Sequence, residues 1–419
     1  MLKAKGVSKY AIDVSEGEMH ELNTELSNFT LYRTIFSNSA SVVVYIDNKK
    51  GSASGNSLLD EDLQQLVDDA CSGAESAVAD EANDIAPYQE PEVFHTGPYE
   101  PDMDRFYDRM EEMLTSIEQE YPKILLMQTI GSYTKSHSVY ANSNGTRFES
   151  FDGVYNVGLE FAGNDGERTT GINGASVCMH DLDTPILDLS LLRTMLSNTQ
   201  DSLYVVPMGE KFEGTVIFDP NATGSFVDML VENFMSSTVI VEGTSLWLDK
   251  VGEQVSHESV TLRLQSQDER LVVQSPVTED GYRAQNVTLI ENGVLQSHLL
   301  SLYASRKTGR PVTKNSGSCY VLEPGNTPYK ELLSGVKRGL LVGWFSGGRP
   351  GVNGEFSGVA KSSFYIENGE IKGAVMETMI NGNLADVFKN VTGISSELYS
   401  DGIMAFPYVR VEGITISGA

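Results

Sequence analysis

The side chains able to do chemistry in this chain are few and scattered. Its six histidines, His20, His95, His137, His180, His257 and His298, include no pair at a metal-ligand spacing, whereas a zinc site ordinarily needs three or four protein ligands. His257-Glu258 has the start of a helical zinc motif, in which two histidines hold the metal and the glutamate activates water. Thr261 and Leu262 stand where the second histidine would be needed. His180-Asp181-Leu182-Asp183 could offer a metal one imidazole and two carboxylates, but Thr184-Pro185 follows at once and predicts a turn. Asn315-Ser316-Gly317-Ser318 lacks the frame and strand-to-helix setting of a nucleophilic serine and reads as a loop. The glycines from Gly343 to Gly358 match neither a phosphate-cradling nor a dinucleotide fingerprint, and predict a long mobile or cavity-lining loop.

The elements that must position these groups predict an α+β chain, with an α/β-type layer first and a β-rich part with antiparallel hairpins after it. Period-two patterns at Tyr10 to Glu25 and Thr30 to Asp47 predict two or three strands. Gly51 to Asn56 reads as a turn-rich break. Leu63, Leu66, Val67 and Ala70 then share one helical face, with Ser57 or Asp60 as the cap. Four prolines among acids between Asp80 and Pro101 predict a linker and a subdomain break at 80–101. Helical spacing returns from Pro101 to Tyr121. Strands follow at Ile124 to Ile130, Val139 to Ala141 and Asp152 to Ala162, then a helix at Ile186 to Leu196. Beyond Val205 glycine-separated strand runs dominate, among them Gly214 to Phe218, Thr261 to Leu264 and Leu271 to Gln274. The boundary is therefore set between an N-terminal domain, 1–205, and a C-terminal domain, 206–419. A single helix over 222–237 carries Phe226, Leu230, Val231 and Phe234. Leu289-Ile290-Glu291-Asn292-Gly293 and Tyr365-Ile366-Glu367-Asn368-Gly369 predict two hairpins turned at Asn-Gly, where both central residues need positive φ.

Composition limits the function classes. The 419 residues carry 30 basic and 58 acidic side chains, a formal net charge of −28, which repels a phosphate backbone and argues against direct nucleic-acid binding. Three separated cysteines, Cys71, Cys178 and Cys319, form no C-x-x-C pair and suit a reducing compartment. No apolar run approaches the roughly 18 residues of a membrane span, and no apolar stretch follows the N-terminal lysines. A soluble, unprocessed, cytoplasmic protein without membrane contact is the expectation.

Taken together, certain segments resemble the TldD/PmbA family, described as modulators of DNA gyrase and as components of a zinc-dependent protease. They are Gly243-Thr244-Ser245 with Val251-Gly252-Glu253, the two Glu-Asn-Gly hairpins, Tyr303-Ala304-Ser305-Arg306-Lys307-Thr308-Gly309, Lys337-Arg338-Gly339-Leu340 and Gly382-Asn383-Leu384. The likeness covers nearly the whole chain, and the order of the segments carries it.

In the TldD branch, an H-E-x-x-x-H helix precedes these segments and a C-terminal cysteine adds a zinc ligand. Gap-free counting puts the helix positions at Asp228, Met229 and Asn233, and Glu397 to Ala419 contains no cysteine. Methionine cannot activate water, and one carboxylate with one amide makes a poor zinc pair. The resemblance to the PmbA side of the family thus implies no catalytic, metal or cofactor residue in this chain. It implies a TldD-type partner that supplies zinc and the general base, and unfolded or short peptides as substrate, with this chain shaping the cavity and helping to hold the peptide. A homodimer stays open for the isolated chain. Two rival readings stay open as well: a metallopeptidase in its own right, with unconventional ligands or groups such as His180 and Asp183, and a peptide- or protein-binding module without proteolysis.

Overall fold

Three strands open the chain, β1 (Lys9–Glu25), β2 (Asn28–Ile46) and β3 (Lys49–Gly55), paired as an antiparallel meander in the computed structural model, which describes residues 1–376 and 378–418. The expected break after Gly51 is therefore strand. Helix α1 (Asp60–Ser76) folds back onto it and sets Leu66, Val67, Ala70 and Ala74 against Val42 and Val44. Small residues in β3 serve that close approach: a Cβ on Gly51 would lie 2.0 Å from the Ala70 carbonyl oxygen. The helix begins after Leu59 without a side-chain cap, so neither Ser57 nor Asp60 plays that part.

The stretch expected as a linker contributes β4 (Glu92–Thr96) to the same sheet. Next comes α2 (Met103–Glu120), whose Asp102 cap accepts from the Arg105 amide at 3.0 Å. Strands β5 (Ile124–Asn142), β6 (Arg147–Gly163) and β7 (Asn173–Met179) complete seven strands in the order β3-β2-β1-β5-β6-β4, with β7 also on β6. β5 is one continuous strand where the sequence pattern suggests two. Its Gly131 lets α2 approach, since a Cβ there would lie 2.1 Å from the Met110 sulfur. In place of one helix at Ile186 to Leu196 there is a single 3-10 turn at Ile186–Asp188 and then α3 (Leu192–Asp201). Ser190, at φ 51°, breaks the run.

The second half forms a thirteen-stranded sheet. In chain order it comprises β8 (Phe212–Phe218), α4 (Pro220–Phe234), α5 (Ser237–Val241), β9 (Leu262–Leu264), β10 (Val287–Glu291), β11 (Val294–Leu295), α6 (Leu302–Thr308), β12 (Tyr320–Leu322) and α7 (Tyr329–Ser334). Then follow β13 (Arg338–Val342), β14 (Trp344–Gly347), β15 (Glu355–Lys361), β16 (Ser363–Glu367), β17 (Glu370–Val375), β18 (Met379–Asn383), α8 (Leu384–Lys389), β19 (Val391–Ser400) and β20 (Ala405–Ser417). β20 lies centrally, between β12 and β8, and also receives β18 and β19. The β8–β13 and β12–β20 pairs are parallel. Both Asn-Gly turns have the paired positive φ of a type I′ hairpin, 48° and 79° at Asn292-Gly293 and 53° and 79° at Asn368-Gly369. Leu271 to Gln274, expected as strand, is irregular. The glycine-rich stretch expected as a loop is the β14–β15 hairpin, with only its tip irregular.

The two sheets are tied together by side chains. Arg283 grips Glu92 at 2.6 and 3.1 Å, Lys307 meets Asp80 at 2.6 Å, and Arg306 bonds Asp84. The Gln89 amide donates to the Gly281 carbonyl at 2.9 Å. The prolines and acids of 80–101 thus belong to a strap between the sheets. Among the described residues no helix is long and apolar enough to cross a membrane.

Candidate functional site

Helix α4 is specified locally. Asp219 caps it, accepting from the Ala222 amide at 2.9 Å, and Pro220 occupies the first turn, where its missing N–H costs nothing. Phe226, Leu230, Val231 and Phe234 form its buried stripe. The Phe226 ring centre lies 4.3 Å from that of Phe218 and 5.2 Å from those of Phe345 and Phe356. Each such ring or Leu side chain contributes about 1.5–3 kcal/mol by leaving water. The helix expected at 222–237 therefore begins at Pro220, ends at Phe234 and resumes as α5 after a break at Met235-Ser236.

The three positions matched to the zinc motif do not converge. Asp228 is exposed, Met229 is half-buried against the core, and the Asn233 amide donates to the Gly351 carbonyl at 3.3 Å. Beneath the polar side, burial first and then the Asp228 and Glu232 carboxylates push the Tyr320 phenol well above its ordinary range, which keeps it neutral. A carboxylate in water, a thioether on the core and an amide already bonded to a carbonyl do not fit zinc. Among the described residues no three His, Cys, Asp or Glu side chains gather in a metal-holding group.

The remaining candidates are dispersed. Burial lowers the His180 pKa, while Asp183 is drawn to Arg105 at 2.6 Å and its amide closes a turn on Asp181 at 2.9 Å. His257 lies in a loop, not a helix, with its Nδ1 2.9 Å from the Ser259 hydroxyl. His137 meets Glu149 at 2.8 Å, His20 meets Glu18 at 2.8 Å, and His298 is buried with Nε2 3.0 Å from the Trp247 carbonyl. Ser316 and Ser318 lie on a cleft of about 600 Å³ between the open face of the first sheet and loops of the second half. Asp13, Asp152 and Glu279 are its acids, and burial raises the pKa values of the two aspartates. No histidine or cysteine is among its lining residues, so no Ser-His or Cys-His pair forms there.

A second cleft, of about 480 Å³, was not legible in the sequence. Ile172 and strand β7 along 173–177 wall it, opposite α3, the start of α4 and the β14–β15 hairpin. Asp219 lies at its base, with a pKa that burial pushes up to about 7.

Comparison with known proteins places this geometry. The model of the PmbA/TldA metallopeptidase C-terminal domain matches residues 212–418. A metalloprotease of Methanothermobacter thermautotrophicus is 27% identical over 65% of this chain and 63% of its own length. A metalloprotease PmbA homolog of Haemophilus influenzae is 24% identical over 90% of this chain and 85% of its own. The crystal structure of TldE from Thermococcus kodakarensis superposes with a TM-score of 0.85 at 20% identity, covering 99% of this chain and 98% of that one. With its α+β architecture and the match to the C-terminal half, this chain belongs to the PmbA/TldD family of metallopeptidase-like proteins.

Proposed function

We propose that this chain is a non-catalytic subunit of a two-chain zinc metalloprotease that degrades unfolded or short peptides. The observation that carries this reading is α4, where exposed Asp228, core-facing Met229 and bonded Asn233 stand at the zinc-motif positions. A TldD-type partner then supplies the metal and the general base. The halves 1–205 and 206–419 act as two domains that together wall the peptide-holding cavity. The three free cysteines, Cys71, Cys178 and Cys319, suit a cytoplasmic setting.

The test is cleavage of an unfolded peptide by this chain, by a TldD-type chain from the same genome, and by the two mixed, each with and without chelator. Chelator-sensitive cleavage in the mixture, and none by this chain alone, is the expected result. Cleavage by this chain alone would establish it as a peptidase in its own right. Association with the partner that leaves the partner's cleavage unchanged would favour a binding module.

A further inference from the structure

Among the described residues strand β7 has one strand partner, β6. Its Cys178 amide donates away from β6, to the Asp401 carbonyl at 2.7 Å. Because outward and inward groups alternate in an antiparallel pair, the N–H and C=O groups of Gly174 and Ser176 point out along the same edge. Both residues are exposed, and among the described residues neither amide has a backbone partner on that side. Natural edge strands are ordinarily protected by charge, proline or a bulge. Asn173-Gly174-Ala175-Ser176-Val177 has no charge and no proline, and its register with β6 runs without a bulge.

The cleft limits what can lie there. At one end Ser362 bonds Asn173 at 3.0 Å, and at the other Asp401 holds Cys178. About four residues of edge lie between, roughly 13 Å at strand rise, which suits a short extended segment. Across the cleft stands Trp344, 51% exposed, an apolar surface for alternate side chains. Lys361, beside Ser362, also lines the cleft, and Asp401 closes the opposite end. This charge order matches a peptide whose carboxyl end lies towards Lys361 and whose amino end lies towards Asp401, antiparallel to β7.

We infer that the free edge of β7 takes up an extended peptide as an added antiparallel strand, held by the backbone groups of Gly174 and Ser176 and covered by Trp344. Main-chain bonding of this kind depends little on peptide sequence. The inference rests on the peptide-holding role proposed above and assigns it a place.

The test titrates the full chain with a free-ended hexapeptide of alternating serine and valine and follows tryptophan fluorescence. Trp247 is buried and Trp344 exposed, so the change should vanish in Trp344→Phe. Ser176→Pro removes an outward donor while leaving the β6 ladder its bonds. It should weaken binding about tenfold, with Ser176→Ala binding as the parent does. As a check independent of folding, one of two hexapeptides N-methylated at alternate amides should lose affinity for the unmodified protein. Absence of a saturable Trp344 response, undiminished binding by Ser176→Pro, or full binding of both methylated peptides would overturn the inference. Chelator-sensitive cleavage by the mixed chains without a Trp344 response would remove the β7 site and leave the subunit reading standing. A Trp344 response lost in Ser176→Pro, with no cleavage in the mixture, would do the reverse.

Discussion

The Asn233 side-chain amide donates to the Gly351 carbonyl at 3.3 Å, tying the last turn of α4 to the tip of the β14–β15 hairpin. The same tip is fixed from α8, where the Asn383 amide reaches the Asn353 carbonyl at 2.7 Å and the Leu384 amide reaches Gly354 at 2.7 Å. A position that would carry an imidazole in a zinc site here braces a hairpin.

Restoring the motif should therefore fail. The triple variant Asp228→His, Met229→Glu, Asn233→His is expected to show no chelator-sensitive cleavage, because the C-terminal cysteine is missing and nothing orients the new ligands. Met229→Glu also places a carboxylate against the core, and the variant should lose about 1–3 kcal/mol in a urea melt.

Asp219 makes stability depend on pH. Burial raises its folded pKa to about 7 from the ordinary aspartate value of 3.8, so between those values the folded state binds more protons than the unfolded one. Stability from this group is present below about pH 4 and is lost as pH rises towards 7. Asp219→Asn keeps a capping side chain without the buried charge. It should be more stable than the parent at pH 8, by no more than about 4 kcal/mol, and nearly equal to it at pH 4. Urea melts at the two pH values check this; a gap that does not narrow on acidification would contradict it.

Gly51→Ala should displace α1 from β3, since the added carbon would lie 2.0 Å from the Ala70 carbonyl oxygen and 2.4 Å from the Ala74 amide nitrogen. These neighbours are backbone and cannot swing aside. A loss of about 1–3 kcal/mol is expected, read as a lower urea midpoint with an unchanged slope.

The α4 stripe and the Asn-Gly hairpins were legible because period and turn chemistry are local. Strand β3 was missed because its glycines and serines answer to the approach of α1, not to strand propensity. β5 was split by Gly131 and the polar run that follows, although its ladders to β1 and β6 carry the strand through Gly131, where the missing Cβ makes room for α2. The positions Asp228, Met229 and Asn233 came from family likeness alone; nothing local distinguishes them from an ordinary helix surface. The β7 cleft draws its walls from 172–177, 190–199 and 343–362, and no pattern within one segment announces that meeting.

The central claim is that the metal belongs to a partner. Zinc measured by elemental mass spectrometry, on the purified chain and on its complex with a TldD-type chain after equal exposure to zinc, tests it most directly. The account predicts negligible zinc in the isolated chain and one zinc per pair in the complex. Stoichiometric zinc retained by this chain alone would contradict it.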